Sequence, residues 1–172
     1  RKIQCSLEDG EAVTYSWRGN AFSRVPGEPD RLLFKVEGMN VRHCVSVEDP
    51  QRGQGYRLIT REILLYLAPE SGKVLRTWDN PWTGETVDVL HVANDPVNSA
   101  NYVKGRDGKP ITWTAQEHDG RWWSTATIPL FYFNPLGGGY QKYVGGRYHA
   151  TEMFNFFGDL DDLRDLSKNT AN

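Results

Sequence analysis

Short runs of alternating apolar and polar residues recur along the chain. Val13, Tyr15 and Trp17 alternate with polar residues, and residues 31–48 (RLLFKVEGMNVRHCVSVE) continue as a long extended run. Gly38 is expected to mark a bulge or bend within that run. Gly, Pro, Asn and Asp separate the runs at regular spacing, which is typical of strands joined by tight turns.

Two turn signals predict hairpins. Residues 56–67 are rich in helix formers, but the compact turn PESGK (69–73), with glycine where a positive φ is needed, favours a hairpin with two strand arms. The Asp-Gly pair in EHDGR (117–121) predicts a second hairpin, between the strands ITWTAQ (111–116) and WWSTATIPLFYF (122–133).

The remaining segments complete the predicted order. ETVDVLHVAND (85–95) is predicted as one strand, and NPLGGGYQKYVGG (134–146) as a glycine-rich connection. RYHATEMFNFF (147–157) is predicted as a further strand. The tail DLDDLRDLS (159–167) has a helical pattern, with Leu160, Leu163 and Leu166 on one face.

These elements predict an all-β, mainly antiparallel fold in a single domain of residues 1–172. A long antiparallel meander must curl or close to hide its edges, so we expect a curled sheet or a lipocalin-like β-barrel with a short C-terminal helix. The alternative is an α+β cone. It is disfavoured because the first fifty residues contain no convincing helix.

Composition excludes some partners. The formal charge of the 172 residues is −2 and no basic run stands out, which argues against nucleic acid. No apolar stretch approaches the roughly 18 residues of a membrane span, so we expect a soluble protein, either cytoplasmic or exported. Six Trp, eight Tyr and seven Phe suit a ligand cavity as well as a β-rich core.

The cysteines and histidines predict no metal site. Cys5 and Cys44 fit no metal-ligand spacing. They could bridge an N-terminal arm to a strand, but the reduced, buried form is favoured. The four histidines show neither HxH nor HExxH spacing, and no nucleotide or phosphate motif is present, so no cofactor is predicted.

Residues 77–98 (TWDNPWTGETVDVLHVANDPVN) contain the main candidate chemistry. Two Asx-Pro turns pin the ends of the segment, a purely structural role. His91, which shares a predicted strand face with valines, is a candidate base or acid, with a satisfied core histidine as the alternative. Its candidate partners are Asp95 and Glu152; Glu152 could instead pair with Arg18 or Arg61.

Six residues are candidate ligand contacts. Arg18 could grip a carboxylate or phenolate with its planar fork. Trp78 and Trp82 could form stacking walls, and Asn98 could donate an amide hydrogen bond. Trp17 and His149 complete the set.

We therefore expect a barrel that binds a small, partly apolar, aromatic molecule. It could transform that molecule by cofactor-independent acid/base chemistry, as a lyase, isomerase or cyclase. Two alternatives stay open: a non-catalytic carrier or binding module, and a self-associating β-sheet domain that forms a homodimer.

Several segments resemble a known family. FSRVPGEPDRLLFKVEGMNVRH, LRTWDNPWTGETVDVLHVANDPVN and HATEMFNFFGDLDDL are similar to the bacterial and fungal family catalogued as domain of unknown function 1838. The resemblance implies a mostly-β fold and brings no activity. The family pattern continues with a Trp/Pro/Met-rich segment and closing strands, whereas this chain ends at Asn172. We expect a short member, or a sheet completed by other means such as a second subunit.

Overall fold

The computed structural model describes residues 1–112, 114–133 and 147–171. The chain divides into two compact units, one of Arg1 and Ile3–Pro110 and the other of Lys2 and Ile111–Asn172. We call these the first and the second unit; the expectation of a single domain stays a prediction. Among the described residues, no helix has the length and apolar character needed to cross a membrane.

The first unit contains seven strands among the described residues. They are β1 (Val13–Ser23), β2 (Arg31–Asp49), β3 (Gly53–Leu67), β4 (Thr77–Asp79), β5 (Thr86–Asp88), β6 (Val92–Asp95) and β7 (Ser99–Tyr102). The main sheet has the order β1-β2-β3-β6, and β7 also pairs with β3. Strands β4 and β5 pair only with each other in the described part of the chain.

The second unit contains β8 (Gln116–His118), β9 (Arg121–Phe133), β10 (Arg147–Asp159) and the helix α1 (Leu160–Arg164). Its sheet has the order β10-β9-β8. Every strand pair in the described part of the chain is antiparallel, which confirms the all-β class with a short C-terminal helix. Within the described ranges the strand order of the main sheet is open and does not close into a barrel.

Both predicted hairpin turns form, but one arm of each hairpin is shorter than predicted. In PESGK the Ala68 N–H donates to the Lys73 carbonyl over 2.8 Å, and Gly72 has a φ of 66°. The second arm is short, because after one bridge between Leu67 and Val74 the chain leaves to form β4. At the other turn Asp119 and Gly120 have φ values of 48° and 72°. Two positive φ values match the type I′ turn that Asp-Gly favours.

The prediction of one strand over residues 85–95 is wrong. β5 pairs with β4, whereas β6 pairs with β3, and the chain changes sheet over residues 89–91. The Val89 N–H donates to the Arg76 carbonyl over 2.9 Å at this crossing. Strict alternation holds only within one strand, so the valine face predicted for His91 does not exist.

Gly38 does not mark a bulge. The register of β2 runs through it without a shift, opposite Trp17 on β1 and Leu64 on β3; the shift between β1 and β2 lies at Ala21 and Phe22. A Cβ on Gly38 would fall on the indole of Trp17, 2.7 Å from Nε1. The glycine therefore gives room for the tryptophan ring to lie across the strand.

The C-terminal helix is shorter than predicted. Asp159 caps α1 by accepting a hydrogen bond from the Asp161 N–H over 2.9 Å. Leu160 is buried, but the helix ends at Arg164 and leaves Leu166 92% exposed. Leu166 therefore does not share the packed face of Leu160 as the pattern predicted.

Two other predictions concern residues 111–116 and 134–146. Among the described residues of the predicted strand 111–116, only Gln116 lies in a strand, as the first residue of β8. Trp113 and the predicted glycine-rich connection 134–146 lie outside the described residues.

A disulfide joins Cys5 to Cys44, so the favoured expectation of reduced cysteines is wrong. Their Cα atoms lie 6.0 Å apart, within the range that a disulfide spans. Both cysteines are fully buried and pack in a core cluster with Leu58 and Tyr56. The segment before β1 folds back to place Cys5 beside β2, a contact that residue spacing cannot reveal.

Pro96 interrupts the edge of the main sheet between β6 and β7. Proline has no N–H for the ladder, and Thr60 on β3 supplies replacement bonds. Its hydroxyl donates to the Val97 carbonyl over 2.6 Å and accepts from the Val97 N–H over 3.1 Å. The side chain of Asn98 accepts from the Thr60 N–H over 3.0 Å. Residues 94–98 (NDPVN) therefore form a kink at the sheet edge that hydrogen bonds to Thr60 hold in place.

Thr60→Val is expected to lower the free energy of unfolding by about 2 kcal/mol. The substitution removes the hydroxyl that pairs with the N–H and carbonyl of Val97, and Thr60 itself is only 3% exposed. Urea denaturation monitored by tryptophan fluorescence measures the change. Thr14→Val, at an exposed position of β1, is the matched control and should shift stability by less than about 0.5 kcal/mol. Equal effects in both variants would contradict this role of the hydroxyl.

Candidate functional site

One face of the main sheet carries a row of polar residues in register. We call this the core face, because it includes the buried Cys44 and Leu58. Tyr15, Asn40 and Glu62 lie opposite one another on β1, β2 and β3. Asp95 on β6 lies opposite Glu62 and continues the row. A polar row at this position is unusual, since side chains on a packed sheet face are normally apolar.

Hydrogen bonds connect this polar row to Arg42, two residues along β2. Arg42 Nε donates to Asn40 Oδ1 over 2.8 Å, and Asn40 Nδ2 donates to Glu62 Oε2 over 3.4 Å. The Arg42 guanidinium lies 4.1 Å from the ring centre of Tyr15. Asn40, itself buried, thus links a cation and an anion across the middle of the sheet.

Arg42 retains hydrogen-bonding capacity. Its Nη1 donates to the Gln4 carbonyl over a long 3.4 Å, and its Nη2 donates to none of the described residues. Burial lowers the pKa of Arg42, and the neighbouring Tyr15 and Glu62 act to raise it. A guanidinium stays charged under all ordinary conditions, so this group can bind an acceptor.

The N-terminal segment covers the core face beside Cys44. The Tyr15 hydroxyl donates to the Ile3 carbonyl over 3.0 Å, and the Tyr56 hydroxyl donates to Gln4 Oε1 over 2.8 Å. Burial raises the pKa of Tyr56. The disulfide holds the same segment in place. The N-terminal segment therefore bounds the polar row on one side.

Aromatic residues bound it on the other side. Phe34 packs edge-on against Tyr66 and against Trp78, each with ring centres 5.4 Å apart. The ring centres of Trp78 and Trp82 lie 6.3 Å apart, and the Arg31 guanidinium carbon lies 5.6 Å from the ring centre of Trp82. Between this aromatic group and the polar row lies Trp17, whose indole crosses Gly38. Trp17, Trp78 and Trp82, all predicted as ligand contacts, lie in one unit with Asn40 and Arg42.

His91 holds two backbone groups together. Its Nδ1 accepts from the Tyr66 N–H over 3.1 Å, and its Nε2 lies 2.8 Å from the Leu75 carbonyl. This pairing requires the tautomer with hydrogen on Nε2. The ring also stacks on Tyr66 with centres 5.9 Å apart. With both nitrogens engaged, this arrangement favours the alternative of a satisfied structural histidine.

The first Asx-Pro turn has the expected structural form. Asn80 Oδ1 accepts from the N–H groups of Trp82 and Thr83 over 3.0 and 3.3 Å. Gly84 has a φ of 70°, and the Thr86 hydroxyl donates to Asp79 Oδ1 over 2.6 Å. This capped hairpin holds Trp82 beside Trp78.

The other candidates in the first unit have separate environments. Arg18 is 87% exposed and lies on the opposite face from Trp17, where its Nε is 3.5 Å from Glu37 Oε1. Asn98 accepts from Thr60 at the kink, and Asp95 lies at the exposed end of the polar row. Only Asp95 of these three lies opposite a residue of the core face.

Glu152 and His149 both lie on β10 in the second unit. Glu152 is exposed and lies opposite Ile128, and the His149 ring packs edge-on against Phe131 with centres 5.6 Å apart. Among the described residues, no group of three or more His, Cys, Asp or Glu could hold a metal ion.

Asn40, Arg42 and Glu62 were missed by the sequence reasoning. Val36, Asn40, Arg42 and Cys44 share one parity along β2, so two polar residues stood on the face of Val36 and Cys44. That parity was the available signal. The pairing with Glu62 depends on the β2–β3 register and could not be read from either strand alone.

The family comparison matches residues 10–172 to the model described as "Protein of unknown function (DUF1838)". The chain belongs to this family. The match covers most of the chain, including the polar row and the aromatic group. The comparison with curated proteins gave no match, and neither did the comparison with solved structures.

Proposed function

We propose that the first unit binds a small, partly apolar, aromatic molecule on the core face. The observation that carries the proposal is the hydrogen-bonded series Arg42–Asn40–Glu62, which stands beside Trp17 on the face that carries Cys44 and Leu58. Binding sites for small molecules commonly combine a mostly apolar lining with a few placed polar groups.

The spacing suits a molecule of one or two rings. Neighbouring rows on one sheet face lie about 7 Å apart along the strand, so Tyr66 stands roughly 13 Å from Glu62. Arg42 can donate to a carbonyl, hydroxyl or carboxylate oxygen of the ligand, while Trp17 and the aromatic group pack against its rings. The proposal does not require the lipocalin-like barrel expected from the sequence, because the main sheet is open within the described ranges.

Glu62 is the acid/base candidate of the site. It stands in the polar row, where among the described residues it accepts one side-chain hydrogen bond, from Asn40, and a carboxylate can accept several. His91 has both nitrogens occupied by backbone groups. A lyase, isomerase or cyclase reaction on this face would therefore use Glu62, rather than His91, to take or return a proton.

Native mass spectrometry tests the binding proposal. The protein is incubated with a small-molecule extract of cells, and bound species are identified by mass and then titrated by calorimetry. Arg42→Gln is expected to raise the dissociation constant of the identified ligand at least tenfold, which corresponds to about 1.4 kcal/mol. Arg42→Lys, which keeps a charge, should restore part of the affinity.

Arg18→Gln is the matched control, because Arg18 is an exposed arginine on the opposite face. It should leave the affinity unchanged. The reverse result, with binding lost in Arg18→Gln and kept in Arg42→Gln, would show that the sequence-based choice of Arg18 was right and the core face is not the site. Glu62→Gln distinguishes simple binding from acid/base catalysis. Binding of the ligand without its turnover would support a catalytic role for Glu62, whereas unchanged turnover would show that Glu62 is not the acid or base.

A further inference from the structure

The two long strands of the second unit expose large apolar side chains, and the most exposed of them lie on one face. We call β9 and β10 the ribbon. Odd-numbered residues of both strands share a face because odd residues pair with odd residues throughout the register. On this ribbon face the exposed fractions are 64% for Phe131, 74% for Phe133, 74% for Met153 and 58% for Phe157.

The exposed area is large for a surface in contact with water only. Side chains of this size bury about 150–250 Å² each, so the four together expose about 500 Å². That figure lies toward the upper end of the largest apolar patches on monomeric proteins. A standard interface buries about 800 Å² on each partner. The four side chains supply more than half of that area.

The ribbon also has little support from neighbouring strands. β8 pairs with β9 only at Arg121–Trp123, and from Ser124 onward the ribbon is two-stranded within the described ranges. A two-stranded ribbon is marginally stable in water unless a further layer packs on it. The free edge of β10 runs over residues 147–159 in the described part of the chain.

We propose that the ribbon face is a homodimer interface, packed on the same face of a second copy of this chain. The surface suits a two-fold contact because its chemistry is self-matching, and its charged residues lie at the two ends of the ribbon. Arg147 lies at one end, 4.4 Å from the ring centre of Phe133, and Arg121 lies opposite Asp159 at the other. Between the two ends the face carries apolar side chains and threonines, with His149 and Asn155 among them. Two such faces pack as sheets about 10 Å apart, and Phe131, Met153 and Phe157 fill the space between them.

Sedimentation velocity of the full chain over a wide concentration range tests the interface. The wild type is expected to sediment as a dimer of twice 19.6 kDa, with dissociation on dilution. Met153→Glu is expected to raise the dimer dissociation constant at least a hundredfold, because it places a charge in the middle of the packed face of each copy. Met153→Leu should keep the dimer.

Leu166→Glu is the matched control, since Leu166 is an apolar residue with 92% exposure outside the ribbon. It should leave the dimer dissociation constant unchanged, and far-UV circular dichroism should show that all variants keep their β content. A wild type that stays monomeric at its highest soluble concentration would overturn the proposal. A dimer that survives Met153→Glu would also overturn it, because the contact would then lie elsewhere.

Discussion

Replacing both Cys5 and Cys44 by alanine is expected to lower the free energy of unfolding of the first unit by about 4 kcal/mol. The disulfide links residues 39 positions apart, so its loss frees a long loop in the unfolded chain. It also releases the segment that accepts hydrogen bonds from Tyr15 and Tyr56. Urea denaturation followed by tryptophan fluorescence measures the change.

Wild-type protein in a dithiol reductant should match the double variant, since both lack the same covalent link. Mass spectrometry after thiol alkylation should find no free cysteine in the oxidised wild type. If reduction left the denaturation curve of the wild type unchanged, the two cysteines would not be bridged in solution. The same experiment bears on compartment, because a structural disulfide of this kind persists in an oxidising environment.

Gly55→Ala is expected to lower the free energy of unfolding by about 3 kcal/mol. A Cβ at Gly55 would fall on the Asn101 carbonyl oxygen and lie 3.1 Å from the Tyr102 Cα. Both are backbone atoms of β7, so no side-chain rotation can relieve the clash. β7 would have to leave β3 and lose the pairing from Gly55 to Leu58. Thermal unfolding by circular dichroism, with hydrogen exchange at Ser99–Tyr102, measures both effects.

Gly19→Ala is the matched control in another strand of the same sheet. A Cβ there would lie 3.4 Å from Val36 Cγ2, an ordinary contact with a side chain. We expect it to be neutral or slightly stabilising, because alanine has less backbone freedom to lose on folding than glycine. Similar losses in both variants would mean that the loss in Gly55→Ala does not come from the close approach of β7.

The local elements could be predicted wherever the determining signal lies within a few residues. Asp119 and Gly120 encode a hairpin turn by their tolerance of positive φ, and Asn80 caps its own turn. Alternation likewise revealed β1, β2 and β9. The strand over 85–95 was predicted wrongly, because the sheet each part joins is decided by β4 and β3.

For the candidate site, the sequence by itself determined that Asn40 and Arg42 share a strand face and that an Asn-Pro turn lies between Trp78 and Trp82, because these follow from period-two alternation and turn chemistry. Only the tertiary structure decided that Arg42, rather than Arg18, stands beside Glu62, that His91 bridges two backbone groups, and that Cys5 reaches Cys44. Those contacts join residues 16 to 39 positions apart. They depend on the register between strands and on the N-terminal segment folding back onto the sheet. Neither is encoded at any single position, because register is selected by the summed packing of whole strands.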